Sequence, residues 1–360
     1  MSFCLDRIDA HPLGRVPWRI ILGRASASRP RCESKAWSKA KAARCILGFM
    51  MLVPLSVACA AAELTFAVAR TPMSLPIYVA QSEGYFADES VSVRITDCAF
   101  GRLCLSQLLD GKAALCTVAD LPIAFASFTS NRFAILATLA TNRSDAKIIT
   151  RKSNKVRAPA DLRGKKVGVA VGTSAHYFLD SVALLSGLDP ANIRLVDLRA
   201  DEMAAQLAAN QVDALSAFEP YAFEAAKALG GDALVLSISR TYTLTWNLVA
   251  ATDDLATSDR DMEGVLRALD RAIRLIHGDP ARAKAVLKLR LGLDDEAVAW
   301  VWPDLVFELG LTQSLIKTME GEARWALRSG YARGREPNYL RYIHEGPLNR
   351  VKPGSVAIVR

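Results

Sequence analysis

The sequence predicts an α/β protein of two similar lobes, each built on a parallel sheet, with a helical extension at the C-terminus. Three observations carry this. From residue 63 onward, short β-rich runs alternate with amphipathic helical runs, the order that builds parallel sheets. The alternation restarts after residue 151. And "QLLDGKAALCTVAD" (107–120) aligns without a gap on "QLAANQVDALSAFE" (206–219). Gln-Leu opens both stretches, Gly111 meets Asn210 at the helix end, and Asp120 meets Glu219 after the strand. This is one α/β unit used twice, not a short-period solenoid.

The elements follow in order. "ELTFAVA" (63–69) reads as a strand, and "TPMSLPIYVAQSEGYF" as a turn and a helix ended by Gly84. "VSVRITDC" (91–98) alternates as a second strand. "GRLCLSQLLDGK" is helical, with Leu103, Leu105, Leu108 and Leu109 inward and Gly111 as its C-cap. "AALCTVA" (113–119) is a third strand. "RKSNKVRAPADLRGKK" (151–166) is polar and suits a crossing between lobes followed by a surface turn. Strand "VGVAV", helix "SAHYFLDSVALLSG", strand "IRLVDL" (193–198), helix "EMAAQLAANQ" and strand "VDALSAF" (212–218) repeat the plan. From about 262 the chain reads as helical. "EGVLRALDRAIRLIHG" sets Val265, Leu266, Leu269, Ile273 and Ile276 on one face, and Asp279-Pro280 supplies the N-cap and N1 of the next helix. In the helix after that, Leu315, Met319 and Trp325 are core candidates.

Length and charge bound the class. A chain of 360 residues suits two domains. Its +8 charge is concentrated at the start. Residues 1–62 hold ten basic and three acidic residues; the remainder holds 35 against 34. A near-neutral body gives no electrostatic case for nucleic acid. Lys39, Lys41 and Arg44 precede the apolar "CILGFMMLVPLSVA" and the small residues "CAAAE", which is the order of an export signal. Cleavage is expected after Ala60 or Ala62, or before Cys59 if that cysteine is lipidated and anchors the protein. The expected organisation is therefore a leader and signal over 1–62, a first lobe from 63–150 plus 248–360, and a second lobe from 151–247. The expected location is the periplasm.

Cleavage leaves Cys98, Cys104 and Cys116, too few for a disulfide framework, and the three cannot all pair. The four histidines, at 11, 176, 277 and 344, have no metal-ligand spacing. There is no Gly-x-Ser-x-Gly elbow, no Walker loop and no dinucleotide glycine fingerprint. No catalytic residue, metal or cofactor is expected.

In parallel sheets, ligands sit beyond the carboxyl ends of the strands. The segments there are "RTPMS" (70–74), "AFGR" (99–102), "ADLP" (119–122), "GTSA" (172–175) and "FEPY" (218–221). Gly172, Thr173 and Ser174 either cap a helix or cradle an anion on the free N–H groups of the helix start. Five such loops at one cleft favour the anion. Asp120 and Glu219 at paired strand ends suit a ligand amine, or else a salt bridge or a cap. Arg102 suits an acidic ligand or an exposed helix start. Tyr78, Tyr221 and Trp246 wall the cleft or fill the core.

These residues resemble a known family. "PIYVAQSEGYFADESVSVRI", "LRGKKVGVAVGTSAHYFL", "VDALSAFEPY" and "PNYLRYIHEGPLNRVKPGSVAIV" are similar to the nitrate/sulfonate/taurine-type periplasmic substrate-binding proteins of ABC importers, a group that also holds thiamine-pyrimidine binders. The resemblance implies a type II periplasmic-binding-protein fold: two α/β lobes, two crossings near 149–152 and 245–249, and a cleft that closes on ligand. It implies ligand contacts from Ser74, Gly101, Asp120, Thr173, Ser174, Glu219 and Trp246. Two departures concern the ligand: Ala114 stands where the family has an aspartate, which the second half keeps as Asp213, and "RLCLSQ" with Arg102 opens the second helix.

The implied function is capture of a small anionic or zwitterionic organic solute, sulfonate/taurine-like or pyrimidine-like, for an ABC permease, by a monomer without enzymatic activity. Two other classes remain: a periplasmic sensing module for a signalling partner, and an enzyme related to pyrimidine synthesis. The enzymes of that kind carry a cysteine cluster that this chain lacks.

Overall fold

The structure, a computed structural model, describes residues 63–236, 238, 242–255 and 259–360. The expected leader, signal and Cys59 anchor lie outside the described residues. Strands β1 (Leu64–Ala69), β2 (Val93–Cys98), β3 (Leu115–Ala119) and β4 (Phe133–Asn142) belong to a first sheet. The chain then leaves it. Strands β5 (Ala146–Arg151), β6 (Lys166–Val169), β7 (Arg194–Asp197), β8 (Ala214–Phe218) and β9 (Ala233–Val235) form a second sheet, in the order β7-β6-β8-β5-β9. Strands β10 (Leu244–Ala251), β11 (Leu305–Thr312) and β12 (Val356–Ala357) return to the first, whose order is β12-β11-β4-β10-β3-β1-β2.

The internal repeat is borne out at single-residue register. Helix Gly101–Leu109 leads to β3 as helix Met203–Ala208 leads to β8. Gly111 and Asn210, aligned in sequence, both take the left-handed conformation, with φ of 71° and 59°. That closes each helix with the same bond: Lys112 N–H to Gln107 C=O, and Gln211 N–H to Gln206 C=O. Beyond each turn, Ala114 N–H donates to Thr65 C=O and Asp213 N–H to Lys166 C=O. The Asp213 carboxylate also accepts from Lys166 N–H at 2.8 Å, a bond that Ala114 leaves out of the first half.

Two expectations are corrected. The sheets are mixed, not parallel. The three-stranded cores β2-β1-β3 and β7-β6-β8 are parallel, but β10 runs antiparallel to β3, and β5 antiparallel to β8. Each of these added strands is the first after a crossing between sheets, and each runs against both of its neighbours. The crossings also lie earlier than 149–152 and 245–249: the sheet changes between Asn142 and Ala146, and again before Leu244. Strands β4, β5 and β10 are buried on nearly every residue, so they carry no polar alternation to mark them. The C-terminal part is helical as expected, except that β11 interrupts it.

Helix Asp259–Gly278 buries Val265, Leu266, Leu269, Ile273 and Ile276, as its periodicity requires. Asp279 accepts from Arg282 N–H and opens helix Pro280–Leu291. Leu315, Met319 and Trp325 are buried in helix Gln313–Arg328. Leu103 is the exception among the predicted core leucines. It faces solvent, because the buried face of its helix runs through Gly101, Cys104, Leu105 and Leu108. Among the described residues no helix is long and apolar enough to cross a membrane.

Candidate functional site

A cavity of about 290 Å³ opens where both halves end their parallel strands. Arg70 and Pro72 follow β1, and Ala99 follows β2. Pro220, Tyr221 and Phe223 follow β8 from the other half. A third wall comes from the C-terminal segment: Leu291, Leu293, Ala297 and Val301. The volume suits a small organic molecule.

Arg70 is the one charged lining residue. Its nearest acid, Asp97, stands at 3.8 Å, and Arg290 holds that same carboxylate at 2.7 Å. Two guanidinium groups share one carboxylate, so one positive charge is left over beside an apolar cavity. Arg70 is about half exposed, with 48% of its side chain accessible. It was not among the residues singled out from sequence. The signal that locates it is its place directly after β1, in "RTPMS".

Three of the expected contact residues form one buried group behind this wall. Trp246 Nε1 donates to Ser74 Oγ at 3.1 Å, and Ser74 Oγ donates to Ala69 C=O at 2.8 Å. Gly101 packs under the Trp246 ring; a β-carbon there would lie 2.9 Å from Val118 Cα and 3.0 Å from the indole. Tyr78 is also buried and donates to Ala69 C=O. These residues hold the loops in place. Arg102 is exposed and lies over the Phe100 ring.

The two carboxylates are consumed internally. Glu219 Oε1 accepts from Lys147 Nζ at 2.8 Å and from Trp300 Nε1 at 2.6 Å, and its Oε2 accepts from Phe223 N–H. Asp120 accepts four hydrogen bonds, from Leu121 N–H, Thr245 N–H, Thr245 Oγ1 and Tyr242 Oη. Both are buried, at 5% and 0% exposure. Neither lines the cavity, and neither presents a free oxygen for a ligand amine.

Gly172, Thr173 and Ser174 stand apart from the cavity lining. Gly172 has φ of 78°, and its N–H donates to His176 Nδ1 at 3.2 Å. Thr173 Oγ1 donates to Ala170 C=O at 2.6 Å, so its hydroxyl is turned inward. Helix Ser174–Leu185 begins here, but no side chain caps it. His176 instead meets Trp325 and Tyr331 edge-on, at 5.3 Å each.

The cysteines also matter to the cavity. Cys98 and Cys104 form a disulfide that closes the loop carrying Ala99. Cys116 lies buried in β3, and burial pushes its thiol up, away from the reactive thiolate.

A family model described as NMT1/THI5 like matches residues 71–283. No curated protein matches the chain. Among solved structures, the periplasmic aliphatic sulphonate binding protein SsuA from Escherichia coli is similar at 19% identity and a TM-score of 0.69, covering 78% of this chain and 97% of that one. The alkanesulfonate-binding protein SsuA from Xanthomonas axonopodis pv. citri, bound to MOPS, is similar at 20% identity and a TM-score of 0.66, covering 79% and 99%. The desulfurization enzyme DSZB is similar at 15% identity and a TM-score of 0.64, covering 80% and 98%. At these identities the likeness shows the two-lobed periplasmic-binding-protein fold.

Proposed function

The chain belongs to the NMT1/THI5-like family, and from that premise we propose that it captures a small organic anion between its lobes for an ABC importer. The observation that carries this reading is Arg70, with its unmatched positive charge, at an apolar cavity built from the strand ends of both halves. A guanidinium binds a sulfonate, phosphate or carboxylate through paired N–H donors. The apolar walls suit the body of such a ligand. Two proteins of the same fold support delivery to a transporter: a ligand binding component of an ABC-type import system from Staphylococcus aureus, and a periplasmic sulfonate-binding protein of a putative sulfonate ABC transporter from Methylobacillus flagellatus KT. The basic, apolar and small-residue order over 39–62 supports a periplasmic location.

The finer reading is a solute with one acidic head and an apolar body. Asp120 and Glu219 are engaged within the protein, so an ammonium group or a ring N–H donor brought into the cavity gains no carboxylate there. This favours an alkyl or aryl sulfonate over taurine or an aminopyrimidine. DSZB has the same fold and is an enzyme. Against an enzyme of cysteine type, the described cysteines of this chain are a disulfide and one buried thiol.

A thermal-shift panel on the mature protein tests the reading, because a ligand that binds the folded state alone raises the melting temperature. Alkyl and aryl sulfonates are expected to stabilise it, and taurine, aminopyrimidines and inorganic sulfate to do so less. Tighter binding of taurine or an aminopyrimidine would overturn the finer reading. No shift with any anion would overturn the broader one.

A further inference from the structure

Ligand capture leaves three ionisable side chains in the interior without a task. Tyr242 lies in the return crossing, two residues before β10. Its hydroxyl is 2.6 Å from Asp120 Oδ1 and 3.0 Å from Glu322 Oε1. Asp120 and Glu322 are both fully buried. A phenol has one hydrogen and satisfies one carboxylate oxygen at a time. With both acids ionised, the second contact would set lone pair against lone pair in a low-dielectric interior, at a large cost.

The other contacts show which acid holds the charge. Asp120 already receives Leu121 N–H, Thr245 N–H and the Thr245 hydroxyl, the surroundings of an anion. Glu322 receives none of these, and its Oε2 is buried with no hydrogen-bond partner. An ionised carboxylate in that position would be uncompensated. Arg324, two residues along the helix, pairs instead with Glu320 and Glu336, and among the described residues no cation pairs with Asp120 or Glu322.

We propose that Glu322 holds a proton at neutral pH and donates it to Tyr242 Oη, that Tyr242 donates its own hydrogen to an ionised Asp120, and that this proton site ties the return crossing to the first lobe.

The surroundings agree. Burial lifts both carboxyls; at Asp120 the hydrogen bonds from Tyr242, Thr245 and Leu121 oppose the rise, whereas at Glu322, lifted well above the usual range, the Asp120 charge adds to it. The groups facing the site from neighbouring elements are Tyr177 on helix Ser174–Leu185, Tyr339 near the C-terminus and Asp145 at the first crossing. All are acids or phenols, so none offers Glu322 a positive partner. One turn further along the helix, Trp325 takes up Asp180 and meets His176.

A carboxyl whose pKa is raised by folding stabilises the fold fully below its unfolded value, and that contribution is lost as pH rises through the folded value. Losing the proton removes one of the two hydrogen bonds that hold Tyr242 and frees the crossing.

Infrared spectroscopy of the full mature chain, labelled with carbon-13 glutamate, tests the site. At pH 7 an isotope-shifted carboxylic-acid band is expected. It should vanish in Glu322→Gln and persist in Glu320→Gln. The glutamine variant keeps the size and a donor to Tyr242, so it should also lose this site's share of the pH dependence. In the wild type, each retained proton raises the unfolding constant up to tenfold per pH unit above the ordinary carboxyl range; Glu322→Gln should show one proton less. Absence of a labelled acid band in the wild type, or an unchanged slope in the variant, overturns the proposal. If Glu322→Gln does not fold, the wild-type spectrum alone decides. The glutamate label separates this proton from any held by Asp145.

Discussion

Trp300 Nε1 donates to Glu219 Oε1 at 2.6 Å, joining helix Asp295–Val301 to the end of β8 across 81 residues of chain. Around this bond, Phe223 packs on Trp300 at 5.7 Å, and Lys227 pairs with Asp294 and Glu296. The contact holds the third wall of the cavity against the second sheet. Trp300→Phe keeps most of the packing and removes a hydrogen bond to a charged group. A loss of about 1.5–3 kcal/mol is expected, measured as a lower midpoint in urea unfolding.

Arg70 is expected to carry ligand affinity rather than stability. Its side chain is half exposed and its nearest acid is already held by Arg290. Arg70→Gln should weaken binding of the best sulfonate by about 1.5–3 kcal/mol, roughly 10- to 150-fold. Thr173→Ala, whose hydroxyl is turned onto Ala170, should leave affinity unchanged. Calorimetry on both variants tests the pair. The reverse pattern would return the anion site to the start of helix Ser174–Leu185.

Gly101 tests the support behind the wall. A β-carbon there meets backbone at Val118 as well as the Trp246 ring, so relief requires the strand itself to shift. Gly101→Ala should destabilise by about 1–3 kcal/mol. Gly172→Ala meets nothing within 4 Å, so its cost should come only from the left-handed backbone. Thermal unfolding of the two variants separates crowding from strain.

The Cys98–Cys104 bond closes a short loop, with a sequence separation of 6. Loop-closure entropy assigns such a bond about 2 kcal/mol. Replacing both cysteines by alanine should lower the unfolding midpoint accordingly. It should also weaken ligand binding, because Ala99 lines the cavity from inside the bridged loop. Unchanged affinity would limit the bond to stability.

Asp145 gives a pH dependence at the first crossing. Burial, together with the charge of Glu219, lifts its carboxyl to about 7. The folded value lies above the unfolded one, so its contribution is complete in acid and is lost as pH rises towards and through about 7. Melting temperature should therefore fall between about pH 5 and 8. Asp145→Asn should flatten part of that fall, as followed by circular dichroism.

What the sequence determined on its own was local and periodic. The alignment of 107–120 on 206–219 placed β3 and β8 and matched the helix ends at Gly111 and Asn210, which the structure shows to be left-handed, because each of these depends on residues within one α/β unit. Helix faces such as Val265 to Ile276, and the Asp279 cap, were legible for the same reason. Strands β4, β5 and β10 were not, since burial on both faces removes the alternation that reveals a strand. Each carboxylate takes one local bond at the start of the following helix, from Leu121 N–H and Phe223 N–H, which is the cap the sequence allowed; the rest of their fate was decided by tertiary structure. Asp120 and Glu219 sit at matching strand ends, as their alignment implies. Their remaining donors are Thr245, Tyr242, Lys147 and Trp300, residues 72 to 125 positions away. The same holds for Arg70, whose unmatched charge depends on Arg290 taking Asp97 first. A buried acid bonds to whichever donor the fold brings within 3 Å, and only the packed chain determines which donors those are.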